Sequence, residues 1–191
     1  MRRASAALLA LCAAALLAGC QSSETPPLPP GAAPPQRTEL GWVERYPAEG
    51  PSLVFEAHSF AVTADGWTAD VEVENETEAS WEVVQVTRPG EGSFGVMLFT
   101  SDDPGEVEGR SREGDLPGLR PARSFEPPLP ARLSPGASWR GTISAPGPLA
   151  AGLYVRLVFG PFVAVGDPPD DMGTQFSWIT DNAYELRAST S

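Results

Sequence analysis

Residues 67–75, Trp-Thr-Ala-Asp-Val-Glu-Val-Glu-Asn, alternate apolar and polar side chains with almost no exception. A period of two fits an extended strand, with Trp67, Ala69, Val71 and Val73 on a dry face and Thr68, Asp70, Glu72 and Glu74 on a wet one. A half-apolar strand has to be covered by a second layer, so this segment commits the chain to packed sheets. The Asp65-Gly66 pair just before it predicts a two-residue hairpin turn from an earlier strand that begins near Phe60.

The same pattern recurs. Residues 81–87, 94–100, 138–143 and 153–159 read as further strands, and 162–165, 175–180 and 183–186 as shorter ones. Residues 67–88 lack Pro and Gly, which leaves a helix formally open, but their Val content and period of two oppose it. There is no persuasive amphipathic helix in the sequence. Short strands divided by Pro, Gly and Asp turns predict an all-β sandwich or barrel.

Ahead of these strands stand Arg2 and Arg3, an Ala/Leu run over residues 4–16 interrupted by Ser5 and Cys12, and then Leu17-Ala18-Gly19-Cys20. A charged start, an apolar run too short for a membrane span and small residues before a cysteine describe a secretory leader. The final four residues resemble the lipobox of bacterial lipoproteins. That resemblance implies a signal peptide over residues 1–19, cleavage after Gly19, and lipid attachment at Cys20, which becomes the acylated N-terminus. It also implies a cell-envelope location, anchored on the extracytoplasmic side. Gln21 in place of Asp leaves outer-membrane sorting open where the host has an outer membrane. Each buried acyl methylene contributes about 0.8 kcal/mol, so two or three chains suffice to hold a soluble domain at a bilayer.

Residues 20–39 read as the acylated cysteine and a disordered, Pro-rich tether, residues 40–187 as one globular domain, and residues 188–191 as a disordered tail. In polyproline form the tether reaches roughly 60 Å at about 3.1 Å per residue.

Cleavage after Gly19 removes Arg2 and Arg3 and takes the formal net charge from −12 to −14. Nucleic acid, whose phosphates need clustered cations, is thereby disfavoured as a partner. The chain has no lysine, hence no side-chain amine for Schiff-base or P-loop chemistry. Its two cysteines are Cys12 in the leader and Cys20 at the cut, so the mature domain contains no disulfide or thiolate metal site and must stand on its core.

Three local features resemble immunoglobulin-like sandwiches. Leu133-Ser-Pro-Gly-Ala-Ser-Trp139 looks like the Pro-Gly turn that opens a late strand. Ala151-Gly-Leu-Tyr154 places a tyrosine near a strand start, as in a tyrosine corner. Val71-Glu-Val-Glu-Asn75-Glu-Thr77 looks like a strand and the turn after it. The resemblance implies a disulfide-free immunoglobulin-like β-sandwich.

Catalytic candidates are scarce. His58 is the only histidine, and on a regular strand its neighbour Ser59 points to the opposite face, so the residues name no catalytic group, no metal ligand and no cofactor. Gly90-Glu-Gly92-Ser-Phe-Gly95 matches GxGxxG, but the strand pattern that follows is wrong for a dinucleotide fold and a kinase loop would need lysine. Asp102, Asp103, Glu106 and Glu108 crowd one loop and Asp167, Asp170 and Asp171 another, without EF-hand spacing. Trp67, Trp81, Trp139 and Trp178 fall on strand patterns and read as core, whereas Trp42 follows the tether and is placed to dock it. Residues 101–135 form a long segment without strand pattern, and Arg110, Arg112, Arg120 and Arg123 make it the first place to look for a partner. The expectation is a lipid-anchored, non-catalytic binding or envelope-assembly module that meets the membrane through its acyl chains and an envelope protein or glycan through its domain. The competing readings are a carboxylate-based hydrolase and a calcium-stabilised ligand-binding domain.

Overall fold

The computed structural model describes residues 31–84 and 94–188. The leader, Cys20, the tether up to residue 30, residues 90–93 of the glycine-rich motif, the end of the strand expected over 81–87, and residues 189–191 lie outside the described residues. Two antiparallel sheets carry the fold, as expected for an all-β sandwich. The first runs in the order β1 (Gln36–Tyr46), β2 (Leu53–Val62), β3 (Gly66–Asn75), β9 (Ser138–Pro146), β7 (Ser124–Glu126). The second is built on β10 (Tyr154–Val165), which pairs with β5 (Gly95–Phe99), β4 (Ser80–Val83), β11 (Gln175–Ile179) and β12 (Tyr184–Glu185); β6 (Arg120–Pro121) and β8 (Arg132–Leu133) extend β5 and β4.

The alternation in residues 67–75 produces the strand it predicts. Trp67, Ala69, Val71 and Val73 are buried, and Asp70 and Glu72 lie on the opposite face. Aromatic rings then lock the sheets together. Phe55 of β2 meets Phe159 of β10 at 5.1 Å between centroids, Phe94 meets Phe159 at 5.3 Å and Trp139 at 5.8 Å, and Trp178 stacks on Phe55 with the rings 4° from parallel. Such contacts contribute about 0.5–1.5 kcal/mol each beyond their buried area.

Four expectations are corrected. The tether does not run to residue 39, and the domain does not begin at residue 40. Ala33 is buried, Ala32 bridges Ala150, and β1 starts at Gln36, because its alternate residues Leu40, Trp42 and Tyr46 supply an apolar edge to the core. Trp42 accordingly packs within β1 rather than at a docking point ahead of the domain. The hairpin turn is shifted by one residue: Val62 pairs with Trp67, the Thr63 N–H donates to the Gly66 carbonyl, and Ala64-Asp65 make the turn. Gly66 is needed for a different reason, since a Cβ there would lie 2.1 Å from the Ala145 carbonyl oxygen on β9. The tyrosine corner does not form, because the Tyr154 hydroxyl has no hydrogen-bond partner among the described residues.

The long segment 101–135 is also more ordered than its sequence suggests. It holds helix α1 (Pro104–Glu113) and the short strands β6, β7 and β8. No residue of α1 is buried, so it lacks the apolar stripe that reveals a helix in sequence. Its caps define it instead: the Asp103 carboxylate accepts from the Gly105 N–H, Pro104 opens the first turn, and Gly114 closes the last with φ 72°.

At the end of the sandwich away from residue 36, Asn75 joins the two sheets. Its fully buried side chain donates to the carbonyls of Ala79 (2.8 Å) and Leu133 (3.1 Å) and accepts from the Thr77 N–H (3.0 Å) and hydroxyl (2.7 Å). The Trp81 indole N–H then donates to the Thr77 hydroxyl at 3.0 Å.

Candidate functional site

The outward face of the five-stranded sheet carries a polar constellation around His58. The register sets Glu56 of β2 directly opposite Glu72 of β3, and Glu72 opposite Arg140 of β9. Like charges facing each other across strands are unfavourable unless a cation or donor lies between them. His58 is in that place: its Nε2 lies 3.6 Å from Glu72 Oε2 and 3.9 Å from Glu56 Oε2, while Arg140 Nη1 is 3.7 Å from Glu72.

A β-bulge brings the imidazole there. The ladder between β2 and β3 slips between Ala57 and Ser59, leaving His58 as the extra residue. The slip keeps Phe60 and Val62 buried after Leu53, Phe55 and Ala57, and it turns His58 and Ser59 toward the same outer face. The opposite-face expectation for Ser59 therefore fails, because that expectation assumed an unbroken period of two.

Ser59 is nevertheless not joined to His58. Its hydroxyl donates to Asp70 Oδ2 at 2.7 Å and accepts from Arg37 Nη2 at 3.2 Å, while the Thr142 hydroxyl donates to Asp70 Oδ1 at 2.7 Å. The Ser59 and Thr142 hydrogen bonds hold the Asp70 carboxyl below its ordinary range, outweighing partial burial, with help from the Arg37 charge. A serine whose proton is directed at a carboxylate, with the imidazole turned to two glutamates, is not a nucleophile–base pair.

The outer face of the second sheet holds a buried arginine. Arg156 of β10 is fully enclosed and donates to the carbonyls of Thr180 (2.9 Å), Asp102 (2.8 Å) and Asp181, with its guanidinium 5.4 Å above the Phe99 ring. Burial lowers its pKa from the usual arginine value, against the raising influence of Asp181, Glu106, Glu44 and Asp102. Nearby, Glu106 accepts from the hydroxyls and N–H groups of Thr100 and Ser101 and pairs with Arg110 at 3.0 Å. Burial works to raise its pKa, but the combined hydrogen bonds win and bring it to about 2. An open cleft of about 530 Å³ lies between α1 and β11, lined by Val107, Arg112, Trp178 and Ile179 among others.

The sequence-derived candidates are thus dispersed. Of the first acidic loop, Asp103 caps α1, Glu106 is held by its hydrogen bonds, and Glu108 pairs with Arg112. Asp167, Asp170 and Asp171 are exposed at the far end of the molecule. Arg110 and Arg112 are committed to the helix ion pairs, and Arg120 donates to the Pro148 carbonyl. Trp67, Trp81 and Trp139 are buried, and Trp42 and Trp178 are partly buried against the core. β5 begins at Gly95, so a strand follows the glycine-rich motif, as read from the sequence.

Two functional-looking groups escaped the sequence reading. The Glu56, His58 and Glu72 trio depends on a bulge that no local signal marks. Glu44, an acidic residue at an inward position of β1, accepts from the Trp178 indole, the N–H groups of Asp181 and Asn182, and the Asn182 amide, binding the first sheet to the second. Among the described residues no helix is long and apolar enough to cross a membrane. Comparison with protein-family models, with curated proteins and with solved structures finds no match to this chain.

Proposed function

We propose that this chain is a lipid-anchored extracytoplasmic lipoprotein of the bacterial cell envelope. Its domain acts as a non-catalytic binding or envelope-assembly module of immunoglobulin-like type. The observation that carries the reading is the leader ending in Leu17-Ala18-Gly19-Cys20, followed by a proline-rich stretch that leads into the sandwich. The polar groups a hydrolase would use are engaged in holding the fold: Ser59 and Thr142 bond Asp70, and Glu44 and Arg156 bond backbone groups across strands. The immunoglobulin-like assignment is supported by the two-sheet plan and by the Ser134-Pro135-Gly136 turn ahead of β9.

Mass spectrometry of the mature protein tests the anchor. Acyl mass on an N-terminal Cys20 is expected, and a Cys20→Ser change should release the domain from membranes. An unmodified N-terminus at another position would overturn the lipoprotein reading. Crosslinking in membranes with the anchor intact tests the second half, and recovery of no specific protein or glycan would count against an assembly role.

A further inference from the structure

We propose that Glu56, His58 and Glu72 form a binding site for one first-row divalent cation, with zinc the best match. The donor atoms of the three side chains lie within 4.8 Å of one another. A tetrahedral zinc ion with bonds of about 2.0–2.1 Å holds its donors about 3.4 Å apart. The 3.6 and 3.9 Å separations around His58 Nε2 need to contract by only a few tenths of an ångström to reach that figure.

The imidazole nitrogen supplies an independent argument. His58 Nε2 is shielded from solvent and has no hydrogen-bond partner among the described residues, although it is aimed between two carboxylates. A shielded polar atom left without a partner is unfavourable, and a metal–nitrogen bond would satisfy it. The same cation would neutralise the Glu56 and Glu72 carboxylates that the strand register forces to face each other.

The donor chemistry selects the metal. An imidazole nitrogen suits zinc and its first-row neighbours, whereas calcium and magnesium take oxygen ligands. Three protein donors at a half-exposed position leave a coordination place open to water or to a side chain of a partner. Arg140, 3.7 Å from Glu72 and itself mostly exposed, can turn outward when the cation takes over its role.

Titration of the full chain in detergent with zinc chloride, followed by calorimetry and by the imidazole NMR signals, tests the site. His58 is the only histidine, so every imidazole signal reports on it. One zinc per chain is expected, with the His58 ring resonances shifting in step with the heat. Glu72→Gln keeps the side-chain shape and should weaken binding by at least about tenfold, as should His58→Ala. Asp167→Asn, at the far end, should leave binding unchanged. Zinc affinity equal to wild type in folded Glu72→Gln, His58 resonances that stay fixed at saturation, or a preference for calcium over zinc would each overturn the proposal. Circular dichroism confirms folding; if His58→Ala is unfolded, Glu72→Gln and the His58 resonances decide.

Discussion

Replacing Asn75 with alanine removes a side chain that ties the end of β3 to Leu133 of the second sheet and to the 77–79 turn at the far end of the sandwich. The loss can be worked from its four contacts. The Thr77 N–H loses its acceptor, and the Ala79 and Leu133 carbonyls each lose a donor, although the Thr77 hydroxyl, 3.2 Å from Ala79 O, compensates in part. An orphaned buried group costs about 1–3 kcal/mol, so one bare N–H and two weakened carbonyls put Asn75→Ala at about 3 kcal/mol. In a domain of this size that is a fall in Tm of about 6–12 °C. Thr77→Val, which leaves the Trp81 indole without its acceptor, should cost about 1–3 kcal/mol. The two changes share one network, so the double variant should cost less than the sum by about 0.5 kcal/mol or more. Guanidinium unfolding, monitored by tryptophan fluorescence and circular dichroism, measures all three. A cost for Asn75→Ala below about 1 kcal/mol at unchanged m-value, or strict additivity with Thr77→Val, would refute the network as the joint between the sheets.

Two further outcomes follow from particular groups. Glu106 has a folded pKa of about 2, below its unfolded value, so its stabilisation is complete above the unfolded pKa and drains away as pH falls toward 2. Thermal melts between pH 5 and pH 2.5 should therefore show a smaller loss of Tm in Glu106→Gln than in wild type, and parallel curves would contradict the hydrogen-bonded carboxylate. At Gly66 a methyl group meets the Ala145 carbonyl at 2.1 Å, so Gly66→Ala should cost about 3 kcal/mol, while Gly109→Ala within α1, where an added Cβ meets nothing within 4 Å, should stabilise by up to about 1 kcal/mol. Equal melting temperatures for the two variants would show that β9 yields freely.

How much was legible follows from what each segment presents locally. β3 was readable because its buried and wet residues alternate with large contrast, Trp and Val against Asp and Glu. In sequence β10 looks like two strands because Gly160-Pro161 breaks the pattern, yet the strand continues past a register shift there. β1 is hard to read because a proline-rich stretch runs up to it, the charged Glu44 sits in its inward set and the apolar Val43 in its outward one. α1 had no apolar stripe to show, and only its Asp-Pro start and Gly stop mark it. The polar face was legible in part. The alternation puts Asp70 and Glu72 on the wet side, but their neighbours across the ladder depend on pairing partners far along the chain and on the bulge at His58.

The docking of Ala32 against Ala150 and the start of β1 at Gln36 also fix how the sandwich bears a load. The chain joins the fold at one pole, beside its own last residues, where the Gln36 amide donates to the Arg187 carbonyl. The turns after β1, β3 and β10, with Glu49, Glu78, Asp167 and Asp170, lie at the opposite pole. A pull between the start of β1 and the opposite pole runs along β1, and the β1–β2 ladder then resists in shear, with its hydrogen bonds strained together. A pull between the two chain termini would peel β1 from β2 one bond at a time. The sandwich is thus mechanically stiff along the line from Gln36 to the far pole and weak across it.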